Sequence, residues 1–172
     1  PELVEAFASL CRAGLRARLQ LAGDGDVDAT RRRVAELGLD DRIELLGWIT
    51  GDRKRAALDA ADAFVLPSHI EGLPVSMLEA MHCALPVIVC PVGSIPEVLD
   101  EGVNALFVPP RDPSALAEAM KALATDPGLR RRLGQAGQAL FQNRFSMDSV
   151  GPRIEALYQS ILGDDGSARL EA

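Results

Sequence analysis

Two glutamates, Glu71 and Glu79, have the residue type and the spacing to bind a polar ligand. Both follow an apolar run ending at Pro67, in a stretch that reads as a turn and the start of a helix. A helix that begins at the carboxyl end of a parallel strand offers free N–H groups and a positive dipole end to a phosphate. Between Pro74 and Glu79 the helix would rise by about 7 to 8 Å, so the two carboxylates could flank a diphosphate. On spacing alone, a pair of solvated surface charges fits equally well.

The segments around these glutamates alternate between short apolar runs and helical patterns. Strands are predicted at 17–22, 43–47, 63–67, 86–90 and 105–108. Helices are predicted at 28–38, 52–61, 74–83 and 95–100, and three more follow Asp112, two of them at 127–141 and 149–162. Apolar runs of this length suit strands that are buried on both faces. The rhythm predicts an α/β fold, namely a Rossmann-like doubly wound parallel sheet with helices on both faces.

Length and composition narrow the class of protein. The 172 residues are 48% hydrophobic and fit one domain, predicted over 1–162, with 163–172 as a disordered tail. A net charge of −7 argues against nucleic acid and anionic membranes as partners. The three cysteines form no CxxC pair, and neither a signal peptide nor a membrane-spanning run is present, so we expect a cytoplasmic location.

Cofactor motifs are weak or absent. Gly23 and Gly25 follow a predicted strand, but the third glycine of a dinucleotide fingerprint would fall at Asp28. Gly23 and Gly25 therefore predict only a tight turn near a phosphate site. The sequence shows neither a Ser-His-Asp arrangement nor a metal-ligand cluster, so no cofactor and no metal are predicted.

The spacing of Glu71 and Glu79 resembles the E-x7-E motif of GT-B fold glycosyltransferases of the family 4 type (group 1). Further blocks are similar to that family in the family's own order, and they cover nearly the whole chain. These blocks are Leu21-Ala22-Gly23-Asp24-Gly25, Leu46-Gly47-Trp48, Val65-Leu66-Pro67-Ser68, Leu78-Glu79-Ala80-Met81, Pro86-Val87-Ile88-Val89, Gly93-Ser94-Ile95-Pro96-Glu97-Val98 and Phe107-Val108-Pro109-Pro110. The resemblance is to the C-terminal, donor-binding domain.

The resemblance implies roles for individual residues. Glu71 would lie beside the transferred sugar as a positioning and electrostatic residue of the catalytic site, and Glu79 would bind the ribose hydroxyls. The segment Gly72, Leu73, Pro74, Val75 and Ser76 would meet the sugar and diphosphate, Trp48 and Ile49 would line the base, and Gly23 and Gly25 would lie near the phosphates. Pro74 stands where many members have glycine, which removes one backbone donor from the pocket.

The implied activity is that of a retaining glycosyltransferase in polysaccharide biosynthesis. It would transfer a hexose from a nucleotide diphosphate sugar to a glycan, a lipid-linked acceptor or a small acceptor. A nucleotide-sugar epimerase of GT-B architecture and a non-catalytic nucleotide-sugar-binding module remain alternatives. The sequence leaves the base, the sugar, the acceptor and the oligomeric state open.

One part of the family pattern is missing from the sequence. Family members carry, before the helix that residues 1–10 resemble, a strand with a Gly-Arg pair and then a lysine, and before that an acceptor-binding domain. Without those cations we expect the chain alone to bind donor weakly and turn over little. In the strand order 3-2-1-4-5-6 the missing first strand is central, so we expect two half-sheets with unpaired inner edges. We expect either that the chain is a truncated or proteolysed product, or that another segment or chain fills the gap. Any membrane contact would come from the absent domain.

Overall fold

A computed structural model describes residues 2–162, so Pro1 and the predicted tail over 163–172 lie outside the described residues. The elements are α1 (Glu2–Arg12), β1 (Leu19–Ala22), α2 (Val27–Glu36), β2 (Ile43–Gly47), α3 (Gly51–Asp59), β3 (Phe64–Leu66), α4 (Val75–His82), β4 (Val87–Val89), a 3-10 turn (Ile95–Glu97), β5 (Ala105–Phe107), α5 (Pro113–Thr125), α6 (Pro127–Arg144) and α7 (Met147–Leu162). The alternation of parallel strands with helices confirms the predicted α/β class.

Aspartates fix where three of the helices begin. The side chain of Asp112 accepts hydrogen bonds from the N–H groups of Ser114 and Ala115 at the start of α5. The side chain of Asp126 accepts a hydrogen bond from the N–H of Leu129 at the start of α6. The side chain of Asp26 accepts one from the N–H of Ala29 at the start of α2. A carboxylate in this position satisfies N–H groups that have no partner inside the helix.

The helix predicted over 95–100 is wrong: only Ile95–Glu97 forms a 3-10 turn. Pro96 suits a helix start, and the apolar pattern continues through Leu99, which is buried. The chain nevertheless turns away, because the side-chain oxygen of Asn104 accepts a hydrogen bond from the N–H of Asp100 at 2.9 Å. The Asn104 side chain therefore accepts the hydrogen bond that a continued helix would direct to a backbone carbonyl.

The five strands form two parallel sheets, as expected for a doubly wound order without its central strand. One sheet is β1–β2, with Leu19 opposite Ile43, and the other is β3–β4–β5, with Phe64 opposite Val87. A cleft of about 1810 Å³ lies between them and is lined by residues of both β1 and β3. Among the described residues, β1 pairs only with β2 and β3 only with β4, so β1 and β3 each have an unpaired edge.

Burial differs between the two sheets. Val87, Ile88 and Val89 of β4 are completely buried, whereas in β1 the residues alternate between half-buried and exposed. Helix α1 connects the halves, since Ala6 packs into the apolar cluster of α5 and Phe7 into the cluster of β1 and β2. The apolar core therefore extends from one sheet to the other through α1, and burial is complete along β4.

Helix α7 lies at the outside of the molecule. The residues predicted to share one face include Ile154, Leu157 and Ile161, which are exposed to 46%, 58% and 70% of their area, while Val150 is half-buried. Within residues 2–162 no helix combines the length and the apolarity required to cross a bilayer.

Candidate functional site

The N-terminus of α4 carries free hydrogen-bond donors. Pro74 is the residue that caps the helix, with an extended backbone, and it makes no side-chain cap. Among residues 2–162, the N–H groups of Val75 and Ser76 find no acceptor, because the first bonds to Pro74 come from Met77 and Leu78. Met77, Ala80 and Met81 are buried on the inner face of the helix. These contacts anchor α4 and leave its first turn open to a ligand.

Glu71 lies in the loop before α4, and a neighbouring loop holds that segment in place. The N–H of Ser94 donates to the carbonyl of Gly72 at 3.2 Å. Gly93 has a φ of +57°, and a Cβ at this position would lie 1.9 Å from the carbonyl oxygen of Glu71. Only glycine permits this approach, so the loop after β4 fixes the backbone at Glu71.

Glu79 is one turn into α4, about 6 Å along the axis from Val75. Its Oε2 contacts the ammonium of Lys54 in α3, and 39% of the Glu79 side chain remains exposed. Lys54 is a site residue that the sequence reasoning missed. It stands between Arg53 and Arg55, and no local pattern separates it from that solvated basic run.

The opposite wall of the site is built from two strand ends. The N–H of Gly23, after β1, donates to the carbonyl of Gly47, at the end of β2, at 2.9 Å. Gly47 has a φ of +64°, which turns the chain so that Trp48 follows at the mouth of the cleft, 70% exposed. An exposed indole at a cleft mouth is suited to contact with a flat ring.

The structure brings some of the predicted site residues together and leaves others apart. Gly23, Trp48, Ile49 and Ser76 line the main cleft. Gly25 lines a smaller cavity of about 250 Å³ between α1 and α2, which it shares with Gly23. The remaining predicted residues, which do not line the cleft, are Glu71, Gly72, Leu73, Pro74, Val75 and Glu79. Glu79 reaches the cleft through its contact with Lys54, which does line it.

His69 has a protein partner. Its Nε2 lies 3.2 Å from Oε1 of Glu2 in α1. The pKa of Glu2 lies below its ordinary value, mainly because of a hydrogen bond with its own backbone N–H and further because His69 is close. This pair joins α1 to the loop that carries Glu71.

No set of three or more His, Cys, Asp or Glu residues within 2–162 is arranged to hold a metal ion. The absence of a metal requirement stays a prediction. The polar groups of the described residues at this end of the cleft include backbone N–H groups, the hydroxyls of Thr50 and Ser76, the Lys54 ammonium and the Glu79 carboxylate that contacts it. Such groups suit hydroxyl and phosphate ligands.

A free helix N-terminus at the carboxyl ends of parallel strands, beside one end of the cleft between the two sheets, is typical of α/β domains of the nucleotide-binding kind. The family model of glycosyl transferases group 1 matches residues 2–126. The chain belongs to this family.

Two individual comparisons agree with this assignment, and a third shows the same fold. A D-inositol 3-phosphate glycosyltransferase of Actinosynnema mirum is 34% identical, with 91% of this chain and 40% of that protein covered. The C-terminal domain of a glycosyl transferase group 1 protein of Francisella tularensis has a TM-score of 0.74 at 25% identity, covering 85% of this chain and 78% of that one. HepE of Anabaena, solved in complex with UDP, has the same fold, with a TM-score of 0.81 at 23% identity and coverage of 92% and 44%. The chain spans less than half the length of the curated relatives it matches.

Proposed function

We propose that the chain is the donor-binding half of a retaining glycosyltransferase that transfers a hexose from a nucleotide diphosphate sugar. The observation that carries the proposal is the free first turn of α4, with donors on Val75 and Ser76, lying between Glu71 and Glu79. Its position at the carboxyl edge of β3 is where open parallel sheets bind ligands. The diphosphate would accept hydrogen bonds from these N–H groups.

The two walls of the cleft would divide the donor between them. On one wall Trp48 and Ile49 would contact the base, and Gly23 would allow close approach of the backbone to the phosphates. On the other, Glu79 would accept hydrogen bonds from ribose and Glu71 would contact the sugar. The UDP bound to HepE is consistent with a uridine nucleotide as one candidate donor.

Glu71 is proposed as the catalytic residue because its backbone is fixed at the start of the phosphate-binding turn. A carboxylate held beside a sugar can stabilise positive charge that develops at the anomeric carbon. Retention of configuration is the outcome that the E-x7-E resemblance implies. The reaction is proposed to proceed without a metal or cofactor, in the cytoplasm, with an acceptor site supplied by the rest of the protein.

The test uses the full-length protein with UDP-, GDP- and ADP-sugars. Glu71→Ala should lower kcat by roughly 10²- to 10³-fold, as expected for loss of a group that acts in the transition state. Glu118→Ala, on the outer face of α5 where the Glu118 side chain is 74% exposed, is the matched control. Turnover near wild type in Glu71→Ala would refute the catalytic role of Glu71.

Product analysis separates the alternatives. The anomeric proton of the product, followed by NMR, reports retention or inversion. Incubation with donor alone distinguishes an epimerase, which interconverts sugars, from a transferase, which at most hydrolyses the donor slowly. Binding of donor without any turnover across acceptor classes would favour a non-catalytic binding module.

A further inference from the structure

The contact between Lys54 and Glu79 joins two helices at the mouth of the cleft. Lys54 lies in the first turn of α3, where Asp52, Arg53 and Arg55 are exposed and Lys54 alone is half-buried. Its side chain is 32% exposed and is directed to α4. The burial indicates that this lysine is held in the structure, whereas its neighbours are solvated.

The two oxygens of the Glu79 carboxylate have different surroundings. Oε2 is buried and, within residues 2–162, satisfies hydrogen-bond geometry with no group, so the adjacent Lys54 ammonium is what balances its charge. Because Oε2 is buried while 39% of the side chain remains exposed, we infer that Oε1 is the oxygen that a ligand can reach. The carboxylate is therefore divided into an anchored oxygen and an open one.

Removing Lys54 would leave a buried carboxylate oxygen without a compensating charge. Such an oxygen is costly to keep away from water, so the side chain would rotate outward and its open oxygen would lose its fixed position. A fixed acceptor loses less conformational entropy when it binds hydroxyl groups than a mobile one does.

Lys54 is also placed differently from the other cations of the cleft. The basic residues that line it within 2–162 are Arg16, Arg18, Arg42, Lys54 and Arg130. Arg18 and Arg42 precede β1 and β2 and so lie at the amino ends of the strands, and Arg130 donates to the carbonyl of Leu123. Lys54 belongs to the segment that follows the carboxyl end of β2, the edge at which the donor is expected.

We propose that Lys54 is a positioning residue for ribose recognition: it anchors Oε2 of Glu79 so that Oε1 accepts hydrogen bonds from the ribose hydroxyls. The proposal rests on the proposed function, because it takes a nucleoside diphosphate as the ligand. It assigns Lys54 no contact with the donor. Any effect of Lys54 on nucleotide affinity must then act through Glu79 and must require the ribose hydroxyls.

Calorimetry on the full-length protein measures the binding of two ligands. The ribose form is whichever of UDP, GDP and ADP binds the wild type, and the dideoxy form is the 2′,3′-dideoxy analogue of that nucleotide. Lys54→Met should weaken binding of the ribose form about tenfold, the loss expected for a hydrogen bond to a charged group. Binding of the dideoxy form should change by less than about twofold. In the Glu79→Gln background, Lys54→Met should have no further effect on either form.

Matched variants keep the result interpretable. Arg53→Met removes a neighbouring exposed charge and should leave both affinities unchanged. Lys54→Arg should restore most of the preference for the ribose form, and thermal unfolding checks that each variant folds.

Equal losses for the ribose and dideoxy forms, or a loss that persists in Glu79→Gln, would overturn the proposal in favour of a direct phosphate contact or a purely structural role. Unchanged binding in Lys54→Met would overturn it while leaving the proposed function intact. A wild-type protein that binds none of the three nucleotides would remove the proposed function, and this inference with it.

Discussion

The two walls of the cleft differ in how completely they are built. On one side β4 lies between two strands, and its three residues are completely buried. On the other side β1 pairs only with β2, and Gln20 and Ala22 are exposed. Glu71 and Glu79, for which the proposed function requires the stricter geometry, belong to the side with the three-stranded sheet. Trp48, which is proposed only to cover the base, belongs to the other side.

This difference shows where positional precision comes from. A side chain holds its place when the backbone beneath it is locked by packing on both faces and hydrogen bonds on both edges. Strand β4 has both, at the centre of the β3–β4–β5 sheet, and α4 rests on that sheet through Met77 and Met81. Within residues 2–162, neither strand of the β1–β2 sheet is paired on both edges, so this sheet provides less.

The largest expected effect tests the burial contrast directly. Ile88→Ala, at a fully buried site in β4, should destabilise the protein by about 3 to 4 kcal/mol, because it leaves a cavity that the sheet cannot close. Leu21→Ala, in half-buried β1, should cost about half as much. Urea unfolding at constant m-value measures both. Equal costs would show that the two walls are equally well packed.

The next prediction compares two glycines of similar backbone conformation. Gly93 and Gly38 have φ values of +57° and +64°, but only at Gly93 would a Cβ meet other atoms within 4 Å. Gly38→Ala should therefore cost about 1 to 2 kcal/mol, from backbone strain alone. Gly93→Ala should cost roughly 3 kcal/mol, because it also forces the Glu71 carbonyl to move.

Donor affinity provides the second measurement for the glycine pair. Under conditions where both variants are folded, Gly93→Ala should weaken donor binding and Gly38→Ala should not. Similar affinities for the two variants would contradict the role of Gly93 in fixing the Glu71 loop.

The smallest expected effect is a gain in stability. Ala84 follows α4 with a φ of +56°, while Leu85 donates to Ala80 and Ala84 donates to Met81 in a Schellman arrangement. Ala84→Gly should relieve strain of about 1 to 2 kcal/mol, offset in part by the greater entropy of the unfolded chain. We expect a net gain of about 0.5 kcal/mol, seen as a small rise in Tm. A loss of stability would indicate that the Cβ of Ala84 contributes packing against α6.

Much of the fold could be predicted because its signals are local. Strands β1 to β5 fall within the predicted apolar runs, and Asp112 with Pro113 correctly marked the start of α5. The division into two sheets was expected from the family resemblance together with the strand order of a doubly wound sheet. The helix predicted at 95–100 failed because a side chain outside the window, Asn104, redirects the backbone.

The site was predictable only in part. The order of residue types along the chain pointed to Glu71, Glu79 and the turn between them. It did not point to Lys54, whose partner Glu79 lies 25 residues away in sequence. Gly25 lies in the smaller cavity beside the main cleft because the chain bends after Gly23, which has a φ of +144°. The contact between Lys54 and Glu79 depends on how α3 and α4 pack, which no pattern within either segment predicts.

The free edges of β1 and β3 also bear on self-association. An unpaired strand edge is a template onto which another molecule can add a strand, which is a common route to aggregation. Here both edges line the same cleft, so a strand from a neighbouring molecule would have to enter it between two sheets. Within residues 2–162, this recessed position disfavours open-ended sheet growth through these two edges.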